Sequence, residues 1–365
     1  MRQISGNRFK LGMFCSNVSG GITKTFAPER WVNSWENNYK LALLSEQSGI
    51  DFLLPLANWY GMGGTAPSEG ETFEAIIWAT GLLAKTKSIT VFTTIHVPFM
   101  HPVFAAKQVV TADHIGEGRL GLNVVSGGVR EEFALFGVPM LPHDERYAVT
   151  EEWFAIVKRL WAEEEPFDFD GKYFHLTRAA SKPKPWGGSR PLMISAGSSP
   201  TGRAFARRNA DCLFMLVVDL DKLAAEIKAI RSGTERKFGI YASGHMFCKK
   251  TRKETDDYYH YLVHEKGDWL AADFLMQMHS ANGSIPAEMI PLLRERFVSG
   301  TGTLLVRGDP DDVAQQFKRM ADAGLDGMAV ALPNFLDDLP VVRDEVLPRL
   351  ERLGLRTPAR AAATV

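Results

Sequence analysis

Eight times along the 365-residue chain a short apolar run is followed by a helix-patterned segment, and this alternation restricts the fold to a parallel sheet with both faces covered. The runs are Phe9 to Cys15, Asp51 to Leu56, Ser88 to His96, Arg119 to Val125, Pro191 to Ala196, Asp211 to Val218, Phe238 to Cys248 and Leu325 to Leu332. The segments between them carry helix signals. Trp31 to Ser48 stops at Gly49, Pro102 to Ile115 starts on a proline, and Asp309 to Ala323 opens with Asp309-Pro310. Further helices are read at Glu71 to Lys85, Asp144 to Trp161, Pro200 to Asn209, Leu220 to Arg231 and Leu339 to Leu353. Eight units favour a closed TIM (β/α)8 barrel over an open doubly wound sheet. Two excursions interrupt the repeat. One follows the fourth unit, a hairpin over Phe167 to Leu176 turning at Asp170-Gly171, and the other follows the seventh, 251–300, which Gly267, Gly283 and Pro286 break into pieces. We expect one domain over 1–357, with 251–300 as an insertion or lid and 358–365 as a loose Ala-rich tail.

Composition excludes several classes of function. A formal charge of −1 and no basic stripe interleaved with aromatics speak against nucleic acid as a partner. The longest apolar runs, Phe52 to Ala57 and Met328 to Leu332, are far too short to span a membrane, and the polar start (Arg2, Gln3, Ser5, Asn7, Arg8) lacks a signal-peptide core, so a cytoplasmic protein without membrane partners is expected. Three scattered cysteines, Cys15, Cys212 and Cys248, read as buried thiols beside strands. P-loop, H-E-x-x-H and G-x-S-x-G signatures are absent, and Gly61, Gly63 and Gly64 do not form a dinucleotide fingerprint. His260 and His264 lack a clear third ligand, so no metal site is expected.

In such a barrel the chemistry belongs to the C-terminal ends of the strands. Asn123 is a polar side chain inside an apolar strand and must find a partner or a ligand there; Thr94 in the third strand is similar, although threonine is also an ordinary strand former. After the fifth strand, Gly197-Ser198-Ser199-Pro200 opens a helix with Ser199 as cap, a start that suits an anion, and Arg203, Arg207 and Arg208 add positive charge nearby. His143 to Tyr147 is another helix start, with Asp144 as a cap, Arg146 as a phosphate-pairing fork and Tyr147 as an aromatic that can hydrogen-bond. Trp35, Trp59, Tyr60, Phe14 and Phe214 are candidates for an aromatic wall against a flat ring, with core packing as the plain alternative. Phe274, Met276 and Met278 suit either a cavity wall or a core.

Five segments in order, G-R-L-G-L-N-V-V-S-G-G at 118–128, L-P-H-D-E-R-Y at 141–147, F-D-G-K-Y-F at 169–174, I-S-A-G-S-S at 194–199 and V-L-P-R-L at 346–350, resemble the bacterial luciferase-like flavin-dependent monooxygenases. Within that family the two-component pyrimidine, dimethylsulfone and alkanesulfonate monooxygenases are most similar. The resemblance implies reduced FMN (FMNH2) bound at the barrel mouth, with O2 as co-substrate and a flavin (hydro)peroxide that passes one oxygen atom to a small substrate. It also implies a separate NAD(P)H:FMN reductase as partner and a homodimer or homotetramer. Carried over residue by residue, Ala57, Asn58, Thr94, Asn123, Glu132, Arg146, Tyr147, Ala196, Gly197, Ser198 and Ser199 fall on cofactor-binding positions, Ser199 near the phosphate. Thr94 and Asn123 match the pocket where oxygen meets the flavin ring and are the implied catalytic residues. Phe14, Trp59, Tyr60 and Phe214 are the substrate-binding candidates. The chain departs from the pattern at Gly128, where the pyrimidine and sulfone enzymes carry tryptophan, and at Asn58, where the pyrimidine enzyme carries lysine. An arginine-poor, aromatic-rich loop over 58–64 points to a neutral, ring-shaped or organosulfur substrate. An F420-dependent oxidoreductase and a non-catalytic flavin-binding protein are the alternatives on the same barrel.

Overall fold

The computed structural model describes residues 2–59, 61, 66, 68, 70–197, 199–232, 238–282 and 293–358. Strands β1 (Lys10–Phe14), β2 (Phe52–Leu54), β3 (Thr90–His96) and β4 (Leu120–Val125) alternate with helices α1 (Trp35–Gln47), α2 (Ala75–Leu83) and α3 (Pro102–Ile115). Helices α4 (Arg130–Leu135) and α5 (His143–Ala162) and the hairpin strands β5 (Phe167–Asp170) and β6 (His175–Ala179) follow. The repeat resumes with β7 (Leu192–Ala196), α6 (Pro200–Asn209), β8 (Cys212–Leu216), α7 (Leu223–Ser232) and β9 (Gly239–Cys248). The chain closes through α8 (Arg252–Tyr259), α9 (Trp269–Asn282), α10 (Arg294–Gly300), β10 (Leu304–Gly308), α11 (Pro310–Asp322), β11 (Gly327–Ala331), α12 (Phe335–Val341) and α13 (Leu347–Arg352).

All barrel pairings are parallel, and the ring is complete: β1 lies between β2 and β11, and β8 reaches β11 through β9. Eight strands therefore enclose the interior, as the repeat count predicts. Their side chains separate into two apolar layers by the period of two. Phe52, Phe92, Ile194, Phe214 and Tyr241 fill the inside, while Leu11, Leu53, Val91, Leu122 and Met328 face the helices. Small residues make room for the inner rings. A Cβ built on Gly12 would lie 2.3 Å from the Phe52 ring and one on Gly121 2.3 Å from Phe92, so the rings fill the space that these glycines leave.

The elements differ from the sequence reading in identifiable places. A ninth sheet strand, β10, is missing from that reading. It pairs with Gly244 to Cys248, the half of β9 that extends beyond the Gly239 to Ser243 pairing with β8. The hairpin turn is wider than Asp170-Gly171: its ends meet where the Gly171 N–H donates to Phe174 O, 3.0 Å. The last helix starts earlier, because Asn334 accepts from the Leu336 N–H, 3.2 Å, and caps α12. The three cysteines are buried thiols, as expected, and none forms a disulfide among the described residues. His260 and His264, both exposed, stack at 5.2 Å, and among the described residues no group of three or more candidate ligands could hold a metal ion. Met276 and Met278 pack against a satellite core around Phe247 and Tyr259. No helix among the described residues is long and apolar enough to cross a membrane. The tail beyond residue 358 lies outside the described residues.

The insertion is tied to the barrel rim. Thr25 bridges to Gly267, the Lys24 N–H donates to Val298 O (2.8 Å), and the Phe26 N–H donates to Lys266 O (2.7 Å). Asp268 accepts from the Ala66 N–H at 2.7 Å, and the Arg296 guanidinium reaches the carbonyls of Val217 and Val218, just past β8.

Candidate active site

Thr94 and Asn123 are register partners on adjacent strands, and each lies two residues beyond an inward position (Phe92, Gly121), so both side chains face the barrel interior. The Asn123 amide donates to Thr94 Oγ1 (3.2 Å), and the Thr94 hydroxyl donates to Pro55 O (3.2 Å). Asn123 Oδ1 is buried and has no hydrogen-bond partner. A buried carbonyl oxygen left in that state costs about 1 to 3 kcal/mol, which a ligand N–H would recover.

A cavity of about 710 Å³ opens over β7, β8 and β9, lined by Gly127, Gly128, His143, Arg146, Tyr147, Ala196, Gly197, Ser199, Phe214 and Ser243 among others. One wall of it combines a helix start with a guanidinium. Ser199 caps α6 by accepting from the Gly202 N–H (3.1 Å), with Pro200 in the first turn, so the positive end of the helix faces this wall. Arg146 donates to the Gly127 carbonyl; its Nε is buried without a partner, and no carboxylate pairs with it among the described residues. Burial pushes its pKa down, the sign of a cation short of counter-charge. The Tyr147 hydroxyl sits where a Cβ on Gly202 would come within 2.5 Å of it, so both helix starts are packed together over a glycine. Asp144 does not cap its own helix: it bonds His143 (2.8 Å) and Thr201 (2.8 Å), tethering α5 to α6. The expected positive cluster is also dispersed. Arg203 pairs with Glu226, and Arg208 pairs with Glu151 near the far end of α6. Among the described residues that line the cavity, Arg146 is the one lysine or arginine.

A smaller chamber of about 130 Å³ has Thr94 in its wall, with Ala57, Asn58, Trp59, Phe73, His96, Phe99 and Phe136 among the others. Its rings are ordered: Phe99 and Phe136 stack at 4.4 Å and 5°, and Trp59 stands edge-on to Phe136 at 5.1 Å. Glu132, almost wholly buried on α4, accepts from the Trp59 N–H (2.7 Å) and so holds the loop after β2. Burial raises its pKa, and the Trp59 bond opposes that shift. His96 Nδ1 lies 3.7 Å from Glu132 Oε2 but has no hydrogen-bond partner. Burial lowers the His96 pKa to about 4, so the imidazole is neutral at pH 7.

Most of the residues singled out in the sequence therefore gather at one end of the barrel, in two separate compartments. Arg146, Tyr147, Ala196, Gly197, Ser199 and Phe214 line the large cavity; Ala57, Asn58, Trp59 and Thr94 line the chamber. The aromatic wall does not form as one surface. Phe14 and Phe214 meet edge-on at 5.7 Å inside the barrel, Trp59 joins the chamber, and Trp35 packs over Gly81 of α2. Tyr60 and Ser198 lie outside the described residues. Sequence reading missed His96, Phe99, Phe136 and Ser243. The first and last were findable: His96 follows Thr94, and Ser243 follows Tyr241, at the period of two that marks the inward face.

Comparison with known proteins gives the site its context. A family model described as luciferase-like monooxygenase matches residues 9–327. An FMNH2-dependent dimethylsulfone monooxygenase of Pseudomonas putida is 27% identical over 366 residues, covering 97% of this chain and 98% of that one. A pyrimidine monooxygenase RutA from a Bradyrhizobium species is 27% identical over 360 residues, covering 95% and 98%. The crystal structure of a riboflavin lyase, RcaE, with modified FMN and riboflavin shares the fold at a TM-score of 0.83 and 22% identity, covering 97% of this chain and 94% of that chain.

Proposed function

Because the chain belongs to the luciferase-like monooxygenase family, we propose that it is a flavin-dependent monooxygenase using reduced FMN and O2, supplied with flavin by a separate NAD(P)H:FMN reductase. The observation that carries this reading is the pairing of an unpartnered buried acceptor, Asn123 Oδ1, with an anion-ready wall made by Arg146, Tyr147 and the start of α6. These groups fit a flat ring that offers N–H donors and carries a phosphate tail.

When bound, reduced flavin supplies two electrons to O2, so that one oxygen atom enters the substrate and the other leaves as water. The protein's part is placement. Asn123 Oδ1 accepts from a ring N–H, while the Asn123 amide and Thr94 hold one another in a fixed orientation. Arg146 and the positive end of α6 would hold the phosphate, and the Tyr147 hydroxyl, seated against Gly202, fixes the angle between α5 and α6. The 251–300 insertion, bonded to the β1 loop and to the carbonyls beyond β8, keeps bulk water from the mouth. The substrate is a small neutral ring or an organosulfur compound, since among the described residues lining the two compartments Arg146 is the one lysine or arginine, and it is taken by the phosphate.

The test is a substrate screen with chemically reduced FMN under ¹⁸O2, read by mass spectrometry. One labelled oxygen in product and one in water is expected. Turnover with F420 in the absence of O2, or flavin binding without any substrate-dependent oxygen uptake, would overturn the assignment.

A further inference from the structure

The chamber beside Thr94 is separate from the anion-binding cavity, and its composition is specific. Resting on the monooxygenase reading above, we infer that this chamber is the substrate pocket and takes one uncharged planar ring bearing an N–H or O–H group, with His96 as the residue that selects for that group.

Three features of the chamber lead there. Size comes first: about 130 Å³ is close to the roughly 150 Å³ cavity that accepts benzene, so one ring fits and two fused rings do not. Shape is the second. Phe99 and Phe136 lie parallel to within 5°, Trp59 closes on them edge-on, and Phe73 and Met100 complete an apolar wall suited to a flat ligand. Charge is the third. Among the described residues no lysine or arginine lines the chamber, which disfavours an anion. Its acidic lining residue, Glu74, is committed to capping α2 by accepting from the Ile77 N–H at 2.7 Å, so it is not presented as a partner for a cation.

His96 supplies the polar anchor. It is two residues beyond Thr94 on the inward face of β3, and its Nδ1 is buried without a partner. A neutral imidazole both donates and accepts, so it can meet a ligand N–H or O–H, and leaving it unmet costs a rejected analogue about 1 to 3 kcal/mol. Glu132 Oε2 stands 3.7 Å from that nitrogen, and the same carboxylate holds Trp59 by its backbone, so ring wall and polar anchor share one neighbouring side chain. Thr94 belongs to the chamber wall and accepts from the Asn123 amide, which places a ring in the chamber one side chain away from Asn123.

The experiment uses the full chain with reduced FMN under argon, and ligand-observed saturation-transfer NMR with phenol, uracil, toluene, 1-naphthol, benzenesulfonate, benzylamine and dimethyl sulfone as probes. Phenol and uracil should bind at least about tenfold more tightly than the other five. His96→Leu should abolish the preference for phenol over toluene. Phe136→Ala should admit 1-naphthol; because Phe136 is 39% exposed, that variant keeps its fold, and Phe99→Ala is a second route to the same enlargement. The inference falls if benzenesulfonate, benzylamine or dimethyl sulfone binds best, if none of the rings binds, or if His96→Leu and both enlargements leave the ranking unchanged. Equilibrium dialysis of reduced FMN on the same samples separates the two levels. Normal flavin binding with a failed ring panel removes the chamber assignment alone, whereas absence of flavin binding removes the monooxygenase reading beneath it.

Discussion

Replacing Arg146 with alanine should weaken binding of reduced FMN while leaving reduced riboflavin, which lacks the phosphate, almost untouched. Arg146 is a half-buried guanidinium with no carboxylate partner among the described residues, so its charge is available to an anion. At an effective dielectric of about 20, a unit charge about 4 Å away contributes about 4 kcal/mol. Partial exposure reduces this to the range of a charged hydrogen bond, about 1.5 to 3 kcal/mol, or about 12- to 150-fold in Kd. Folding should change little. The bond to the Gly127 carbonyl is lost, about 1 kcal/mol, but so is a buried Nε with no partner, and for 365 residues 1 kcal/mol corresponds to only about 1 °C in Tm. The assay is anaerobic titration of wild type and Arg146→Ala with each flavin. Any general loosening of 126–128 weakens both flavins alike, so the ratio of the two ratios isolates the phosphate contact. Equal losses for FMN and riboflavin, or loss of neither, would refute the placement of the phosphate on this wall.

Three other outcomes are expected. Asn123→Leu removes an acceptor that the folded chain leaves unpaired, so its Tm should stay level or rise, while substrate-coupled oxygen uptake should drop by about two orders of magnitude; a variant that is unstable but active would contradict the role given to Oδ1. Gly121→Ala forces a methyl within 2.3 Å of the Phe92 ring and should cost about 1 to 3 kcal/mol, seen in chemical denaturation and recovered in part by adding Phe92→Leu; no recovery would mean the strain lies elsewhere. The third concerns His245, fully buried with Nδ1 bonded to Thr303 (2.8 Å) and Nε2 to Ser299 (2.9 Å), where burial lowers its pKa to about 3. The unfolded chain binds this proton near pH 6.5 and the folded chain does not, so its contribution is full above that pH and is lost as pH falls towards 3. Between pH 6.5 and 5 the loss is about 2 kcal/mol, and His245→Gln should flatten the denaturation-versus-pH curve over that window; an unchanged slope would show that His245 is not the group responsible.

The barrel was legible because its strands are apolar on both faces and its helices carry start and stop residues at Gly49, Pro102 and Asp309-Pro310. β10 was not, because five residues with alternating burial, set between Gly302 and Gly308 after a run of helices, look like linker until β9 is seen to extend past β8. Asn123 announced itself as a polar residue where none is cheap. Arg203 and Arg208 misled for a related reason. Their proximity to a helix start is visible in the chain, but their partners Glu226 and Glu151 are 23 and 57 positions away. The chamber was legible only in part: Ala57, Asn58, Trp59 and Thr94 stood out as candidates, but Phe73, Phe99 and Phe136 come from separate segments and each alone reads as ordinary core.

The bonds between residues 23–26 and the insertion bear on how this enzyme can be remodelled. Thr23, Lys24 and Phe26 take their order from Ser299, Val298 and Lys266, having neither helix nor ladder of their own. Excising the insertion to expose the mouth would therefore unravel the first loop as well, and what remained would be a damaged barrel rather than an open one. Grafts at this rim should exchange both strips of chain together, as a seam is replaced with the cloth on either side of it.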